Sequence, residues 1–188
     1  MPNENEETMC LVRTDVEVAQ RVLALLAVIN RVYEDPPTDT RNWVNATGID
    51  QYFSDQEREF FFADTVTVRD CIKFSWQTES VGLLIWALSG TKSMPTLKKK
   101  TDLSKVSGLT EMMQDAKKFI GSAKLREEAE ILDLEESMEE AHWAVRDAQI
   151  HGKKLPRGVD PGIVLERRRA TCWMLGMGDD WDNVEIDT

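Results

Sequence analysis

Residues that form metal sites and disulfide frameworks are scarce in this sequence. Its 188 residues include only three cysteines and two histidines. The cysteines are widely spaced and odd in number, and no Cys or His pair has the spacing of a zinc site. Glu139-x-x-His142 has the spacing used in di-iron bundles, but the second such pair and the further inward glutamates are missing. The sequence therefore predicts reduced thiols and no metal site.

Motifs for catalysis and for cofactor binding are missing as well. The two histidines, His142 and His151, lie on one predicted helix, about 13 Å apart at roughly 1.5 Å per residue. The sequence has no G-x-S-x-G elbow, no Cys–His pairing and no glycine-rich phosphate loop after a strand. We therefore predict no catalytic residue and no cofactor, and these absences leave an enzymatic function open.

Long apolar runs and basic charge are also lacking. The longest apolar runs, at 22–29 and 81–88, are far shorter than the roughly 20 residues of a membrane span. The N-terminus is acidic and does not have the pattern of a secretory signal peptide. The net charge of −11 opposes binding to nucleic acid and to anionic membranes, because both are negatively charged. The sequence favours a soluble cytoplasmic protein whose charge suits a basic protein partner, and it does not fix the oligomeric state.

Helical signals fill most of the chain. Thr14 and Ser54 each precede a glutamate by three residues, which is the spacing of a capping box at the start of a helix. Apolar residues recur at three- and four-residue steps in several segments, and no strand pattern is sustained. We predict an all-α, single-domain bundle of about six or seven helices over residues 13–188, preceded by a mobile acidic leader at residues 1–12.

The strongest pattern lies at 123–151, which we predict to be the central helix of the bundle. One apolar stripe recurs at steps of three or four residues: Ile131, Leu134, Met138, Ala141, Val145 and Ala148. A second apolar stripe lies nearly opposite: Leu125, Ala129, Leu132, Trp143 and Ile150. A helix that is apolar on two faces packs between other helices. The remaining polar strip is expected to face solvent: Lys124, Glu128, Glu135, Glu139, His142, Arg146 and Gln149.

Three consecutive arginines, Arg167, Arg168 and Arg169, occur inside the apolar pattern of the last predicted helix. They cannot all face solvent if that pattern is buried, so at least one should meet a carboxylate in the core. A binding site for a phosphate or carboxylate ligand and plain surface charge are the alternatives. The candidate ligand or structural charge cluster combines the three arginines with Glu136, Glu140, Asp147, Trp143, Trp173, Trp181 and Asp182.

The end of the chain is predicted to dock on the body of the protein. It reads Trp181-Asp182-Asn183-Val184-Glu185-Ile186-Asp187-Thr188, without a flexible polar extension. A buried indole needs a hydrogen-bond acceptor for its N–H, and we expect Asp182 or a carbonyl at a helix end to provide it.

Six motifs, in their order along the chain, resemble the bacterial domain-of-unknown-function family DUF4272. They are Trp76-x-x-Glu79, Leu84-x-Trp86-Ala87-Leu88, Glu130-Ile131-Leu132-Asp133, His142-Trp143-Ala144-x-x-Asp147-Ala148, Glu166-Arg167-Arg168-x-Ala170-x-x-Trp173 and Trp181-Asp182-x-Val184-x-x-Asp187-Thr188. The resemblance covers residues 14–188 and is densest after Glu130. It implies no mechanism, because the family has no established activity.

Two positions depart from the family pattern. Gln77 stands where the family tends to have arginine, and Glu139-Glu140 stand where it tends to have Tyr-Arg. If those arginines form a pocket in the family, this chain has lost its ligand or exchanged the charge.

The sequence favours a non-enzymatic protein-interaction module, such as an immunity protein or antitoxin that neutralises a basic partner. The alternative is an enzyme or a binder of small anionic ligands, with its site between the last helix and the helix at 123–151. In that alternative the arginine run meets the acids around Trp143 and Trp173, because strongly perturbed ionisable groups often mark a functional site.

Overall fold

Helices make up the regular secondary structure of the protein. The computed structural model describes residues 13–34, 36–94, 96–178 and 180–186, and within these ranges it contains no β-strand. The described helices are α1 (Asp15–Tyr33), α2 (Thr38–Thr47), α3 (Asp55–Phe62), α4 (Val68–Trp76), α5 (Thr78–Ala87), α6 (Leu109–Gln114), α7 (Ala116–Gly121), α8 (Glu128–Ile150) and α9 (Pro161–Met174). Two short 3₁₀ helices lie at Ile49–Tyr52 and Leu103–Lys105. The all-α class predicted from the sequence is confirmed.

The described chain has more helices than the sequence predicts, for two local reasons. The carboxylate of Glu34 accepts hydrogen bonds from the backbone N–H groups of Asp39 (2.6 Å) and Thr40 (3.0 Å). These bonds satisfy free donors at the start of α2, whose own N-cap residue, Pro37, has no side-chain hydrogen bond to offer. The side chain of Asp115 accepts a hydrogen bond from the N–H of Lys118 (3.0 Å), and this cap begins a separate helix, α7, directly after α6.

The central helix of the bundle is α1. Its capping box is formed as predicted, with the Thr14 side chain and the Glu17 side chain each bonded to the other's backbone N–H. Every residue from 21 to 29 is buried, and α1 packs against α2, α3, α4, α5 and α7. The prediction of a central helix at 123–151 is therefore wrong. The helix in that region begins at Glu128, and its main neighbour is α9.

The faces of α8 are also arranged differently from the prediction. The first apolar stripe is largely buried, as at Ile131, Met138 and Val145. The second stripe faces solvent at its C-terminal end, where Trp143 is 61% exposed and Ile150 is also exposed, while Leu125 packs against the core. Within the polar strip that was expected to be wet, Glu135 and His142 are buried and Glu139 contacts Arg168. The strip is partly buried because α9 packs beside it and supplies Arg168 as the partner of Glu135 and Glu139, while Glu128, Arg146 and Gln149 remain exposed.

The described part of the C-terminal segment packs against the helices. Trp181 is 2% exposed, and its ring meets that of Trp173 edge-on at 5.6 Å between centroids. The chain reverses direction before this contact at Gly178, where φ is +107° and an added Cβ would lie 2.1 Å from the carbonyl oxygen of Asn183. Only glycine fits this turn. The last two residues and the predicted leader at residues 1–12 lie outside the described residues.

The role predicted for Asp182 is wrong. Its two carboxylate oxygens accept hydrogen bonds from Ser54 Oγ (2.7 Å) and from the backbone N–H of Gln56 (3.0 Å). Asp182 therefore helps to cap α3, and the Trp181 indole N–H has no acceptor among the described residues. The tail takes this position because a carboxylate is favourable beside the free N–H groups and positive dipole at the start of a helix.

Candidate functional site

Arg167 meets a carboxylate in the core and is the most deeply buried arginine of the run. Its side chain is 0% exposed, and its Nε and Nη2 donate to Glu79 Oε2 at 3.2 and 2.9 Å. Glu79 lies in α5, which is buried along its length, so the pair forms between two inner helices. Burial lowers the pKa of Arg167, and the charge of Glu79 acts in the opposite direction. The guanidinium remains charged at neutral pH because arginine begins from so high a pKa.

Glu79 also anchors the long loop that follows α5. Its two carboxylate oxygens accept hydrogen bonds from the backbone N–H of Thr101 (2.7 Å) and from its hydroxyl (2.9 Å). The loop can approach α5 this closely because residue 82 is glycine, where an added Cβ would lie 2.7 Å from Thr101 Oγ1. One buried carboxylate thus joins α5, α9 and this loop.

Arg168 joins α9 to the polar strip of α8. It forms an ion pair with the buried Glu135, and its Nη2 donates to Glu139 at 3.2 Å. Glu139 is one of the two departures from the family pattern, and here it accepts a hydrogen bond from Arg168. Gln77, the other departure, is buried, and its Oε1 has no hydrogen-bond partner among the described residues.

Arg169 has a much looser environment than the other two arginines. It is partly exposed, and its Nη2 lies 3.9 Å from Glu166 Oε1, one turn earlier in α9. Glu166 is buried, and the Ser80 hydroxyl donates to its backbone carbonyl at 2.8 Å. Burial raises the pKa of Glu166, while Arg169 partly offsets this effect.

We expect the stability of the protein to fall as the pH rises above about 4.5 on account of Glu166. A carboxyl whose pKa is raised by folding binds its proton more tightly in the native state, so ionisation favours the unfolded chain. Glu166→Gln removes this titration. The wild type and the variant are unfolded in urea at pH 4 and at pH 7. The free energy of unfolding of the variant minus that of the wild type should be larger at pH 7 than at pH 4. A stability difference that is equal at the two pH values, or that moves in favour of the wild type, contradicts the expectation.

The acids predicted to meet the arginine run lie elsewhere. Glu136 and Glu140 are exposed, and no described ion pair joins them to the arginines. Asp147 pairs instead with Lys153 (2.7 Å) and His151 (2.9 Å), and the hydrogen bond from Lys153 is the largest cause that lowers its pKa. The predicted contact fails because these residues lie on the side of α8 that turns away from α9.

The same residues nevertheless share one face of α8. Glu136, Glu140, Trp143, Asp147 and Ile150 follow one another at steps of three or four residues, which places them along one side of the helix. We call these five residues the outer face of α8. It presents a largely exposed indole beside three carboxylates, and α8 has no packing partner there among the described helices.

The two remaining tryptophans of the predicted cluster are structural. Trp173 is buried, and the guanidinium of Arg13 lies over its ring at 5.0 Å. Trp181 is covered in the same way by Arg21, at 5.1 Å, and Arg21 forms a buried ion pair with Glu57. The structure therefore divides the predicted cluster into a buried ion-pair network on α9, a docked tail and the outer face of α8.

The sequence analysis missed Glu79, Glu135 and Glu139, the partners of the arginines. A signal was present for Glu79, because it is the only ionisable residue of α5, whose other residues are mostly apolar. An acid on a fully buried helix needs a cation, and the arginine run was the available source. No comparable signal identified Glu135 and Glu139, which have the spacing of an ordinary solvated helix face.

Metal and membrane features give no further candidate. Within the described ranges, no group of three or more His, Cys, Asp or Glu side chains is placed to hold a metal ion. None of the described helices combines the length and the apolar character required to cross a bilayer.

Comparison with known proteins relates the chain to one family. The family described as Domain of unknown function (DUF4272) matches residues 1–184. No curated protein and no solved structure gives a significant match.

Proposed function

The chain belongs to the DUF4272 family, and from the surface that its fold exposes we propose that it is a non-enzymatic protein-interaction module that binds a basic protein through the outer face of α8. The observation that carries the proposal is the 61% exposure of Trp143 between acidic side chains. An exposed indole on a helix face without a packing partner is a suitable anchor for a binding protein, because tryptophan is enriched among the residues that dominate binding energy.

Charge supports a basic partner. Residues 128–150 contain eight Asp and Glu against one Arg, in a chain whose net charge is −11. A lysine or arginine of the partner could lie over the Trp143 ring in a cation–π contact, with Glu140 one turn away and Glu136 two turns away as ion-pair partners. The field of so acidic a surface would also speed the encounter with a basic protein.

The arginine run does not support the alternative of a small-ligand site at that position. Arg167 already donates to Glu79, and Arg168 is ion-paired with Glu135 and donates to Glu139, so neither guanidinium group is free to bind an anion. We therefore place the function on the outer face of α8 and propose that the protein acts in the cytoplasm of a bacterium. Neutralisation of a basic toxin by an immunity protein or antitoxin is one function that would use such a surface.

We expect a basic partner to be lost when the charge of the outer face is reversed. The immobilised protein is used to capture binders from a lysate of the source cells over a range of salt concentrations. Glu136→Lys with Glu140→Lys is the test variant. Asp64→Lys with Glu111→Lys is the control, since it makes the same change in net charge at exposed acids on other parts of the surface.

The supporting result is a basic protein that the wild type and the control retain and the test variant releases. For that partner, Trp143→Ala should then weaken the affinity by about 30-fold or more, as expected for an anchor residue worth about 2 kcal/mol. Capture of no protein at any salt concentration, or equal retention by the test variant and the control, counts against the proposal.

A further inference from the structure

A cavity of about 400 Å³ lies between α8 and the beginning of α9. The two helices run antiparallel, with Arg168 and Glu135 at one end of their interface and the cavity at the other. Its walls come from three segments, and the main lining residues are His142, Arg146, Gln149, Pro161, Leu165 and Ile186. The cavity is within the size range of binding sites for small organic molecules.

His142 lines the cavity and is a buried polar residue with one unsatisfied ring nitrogen. His142 is 6% exposed, and its Nδ1 is enclosed without a hydrogen-bond partner among the described residues. Burial is the main cause that lowers the pKa of His142, and the charge of Arg146 on the next turn adds to it. The imidazole is therefore neutral at pH 7 and can donate one hydrogen bond.

We propose that this cavity binds a small organic acid with one carboxylate and a compact apolar body. The carboxylate would lie between Arg146, Gln149 and His142, because a guanidinium fork matches the two oxygens of a carboxylate and the amide and imidazole can each donate a further bond. The apolar body would lie against Leu165, Pro161 and Ile186. This site is separate from the outer face of α8, and neither proposal depends on the other.

The beginning of α9 favours a monocarboxylate over a phosphate. Its first free N–H groups, those of Gly162 and Ile163, already donate to the Asp160 side chain at 2.9 and 3.3 Å. The N-terminal cradle that binds phosphates in many proteins is thus occupied by a carboxylate of the chain itself. The negative charge of Asp160 beside the cavity further disfavours a ligand with two or more charges.

The two histidines provide a direct test by NMR. The imidazole signals of His142 and His151 are assigned with the variant His151→Gln, and the protein is titrated with sodium benzoate to ~20 mM, which covers millimolar affinities. Benzamide is the uncharged control, and inorganic phosphate tests the other class of anion. We expect benzoate to shift the His142 signal in a saturable manner and leave the exposed His151 unchanged, with benzamide at least about tenfold weaker.

Two variants separate the charge contact from the cavity itself. Arg146→Gln, at an exposed position, should weaken benzoate binding by about tenfold or more, because it removes a charge-assisted hydrogen bond. Leu165→Trp retains the arginine but fills the cavity, and it should abolish binding. The proposal is overturned if benzoate and also hexanoate leave the His142 signal in place. It is equally overturned if benzamide or phosphate binds as well as benzoate, or if both variants bind benzoate like the wild type.

Discussion

Replacement of Arg167 by methionine should destabilise the protein by about 3–5 kcal/mol. The substitution keeps most of the side-chain volume but leaves the buried carboxylate of Glu79 without its cation. That carboxylate cannot move into water, because its other contacts hold it against the N–H and hydroxyl of Thr101. Urea unfolding followed by circular dichroism at pH 7 measures the loss.

The double variant Arg167→Met with Glu79→Gln shows whether the loss comes from the unpaired charge. Glutamine removes the charge and keeps an oxygen that can accept one of the two hydrogen bonds from Thr101, so most of the lost stability should return. Arg169→Met is the matched control, and its partly exposed contact at 3.9 Å should contribute less than about 1 kcal/mol. If Arg167→Met and Arg169→Met cost the same, the Arg167–Glu79 pair does not have the role assigned to it.

Local signals in the sequence predicted where several helices begin. The capping boxes at Thr14 and Ser54 are both formed, and Asp160 accepts hydrogen bonds at the start of α9 as its position before Pro161 indicates. These features were predictable because a cap and the donors it satisfies lie within four residues of each other. The start of α2 has no such local signal, because part of its cap comes from Glu34, a residue that follows α1.

Packing between helices was much less predictable. Both α1 and α8 have strong apolar periodicity, and periodicity alone does not show which of them is surrounded by other helices. The polar strip of α8 was assigned to solvent because Glu135, Glu139 and His142 are polar. It is partly buried because α9 places Arg168 against it, and such a pairing between helices has no local signature. The same limit explains why Trp143, assigned to an apolar stripe, proved to be largely exposed.

The candidate site was predictable in composition but not in position. The residues Glu136, Glu140, Trp143 and Asp147 do share one face of a helix, as their spacing requires. Their predicted contact with the arginines depended on the orientation of α8, which the spacing does not determine. The predicted cluster therefore consists of two separate parts, the outer face of α8 and the buried ion-pair network on α9. Substitutions can test the two parts independently.

Replacement of Trp181 by alanine should cost about 3–5 kcal/mol, as for other buried tryptophans. The indole is 2% exposed and packs edge-on against Trp173, so its removal leaves a cavity at the point where the tail meets the body. It also uncovers Arg21, which lies over the indole and forms a buried ion pair with Glu57 on α3. Access of water to that pair would weaken it, since charges interact more weakly in a high dielectric.

Trp143 provides the control for this prediction, because it is the same residue type in an exposed position on α8. Trp143→Ala should change the free energy of unfolding by no more than about 0.5 kcal/mol. Trp181→Ala should lower the same free energy by several times that amount. The unfolding of each variant in urea at pH 7 gives the two values. Equal losses would mean that the tail is not docked through Trp181. A large loss confined to Trp181→Ala would show that the tail stabilises the body of the protein, since the indole contacts Arg21 of α1 and Trp173 of α9 and the neighbouring Asp182 caps α3.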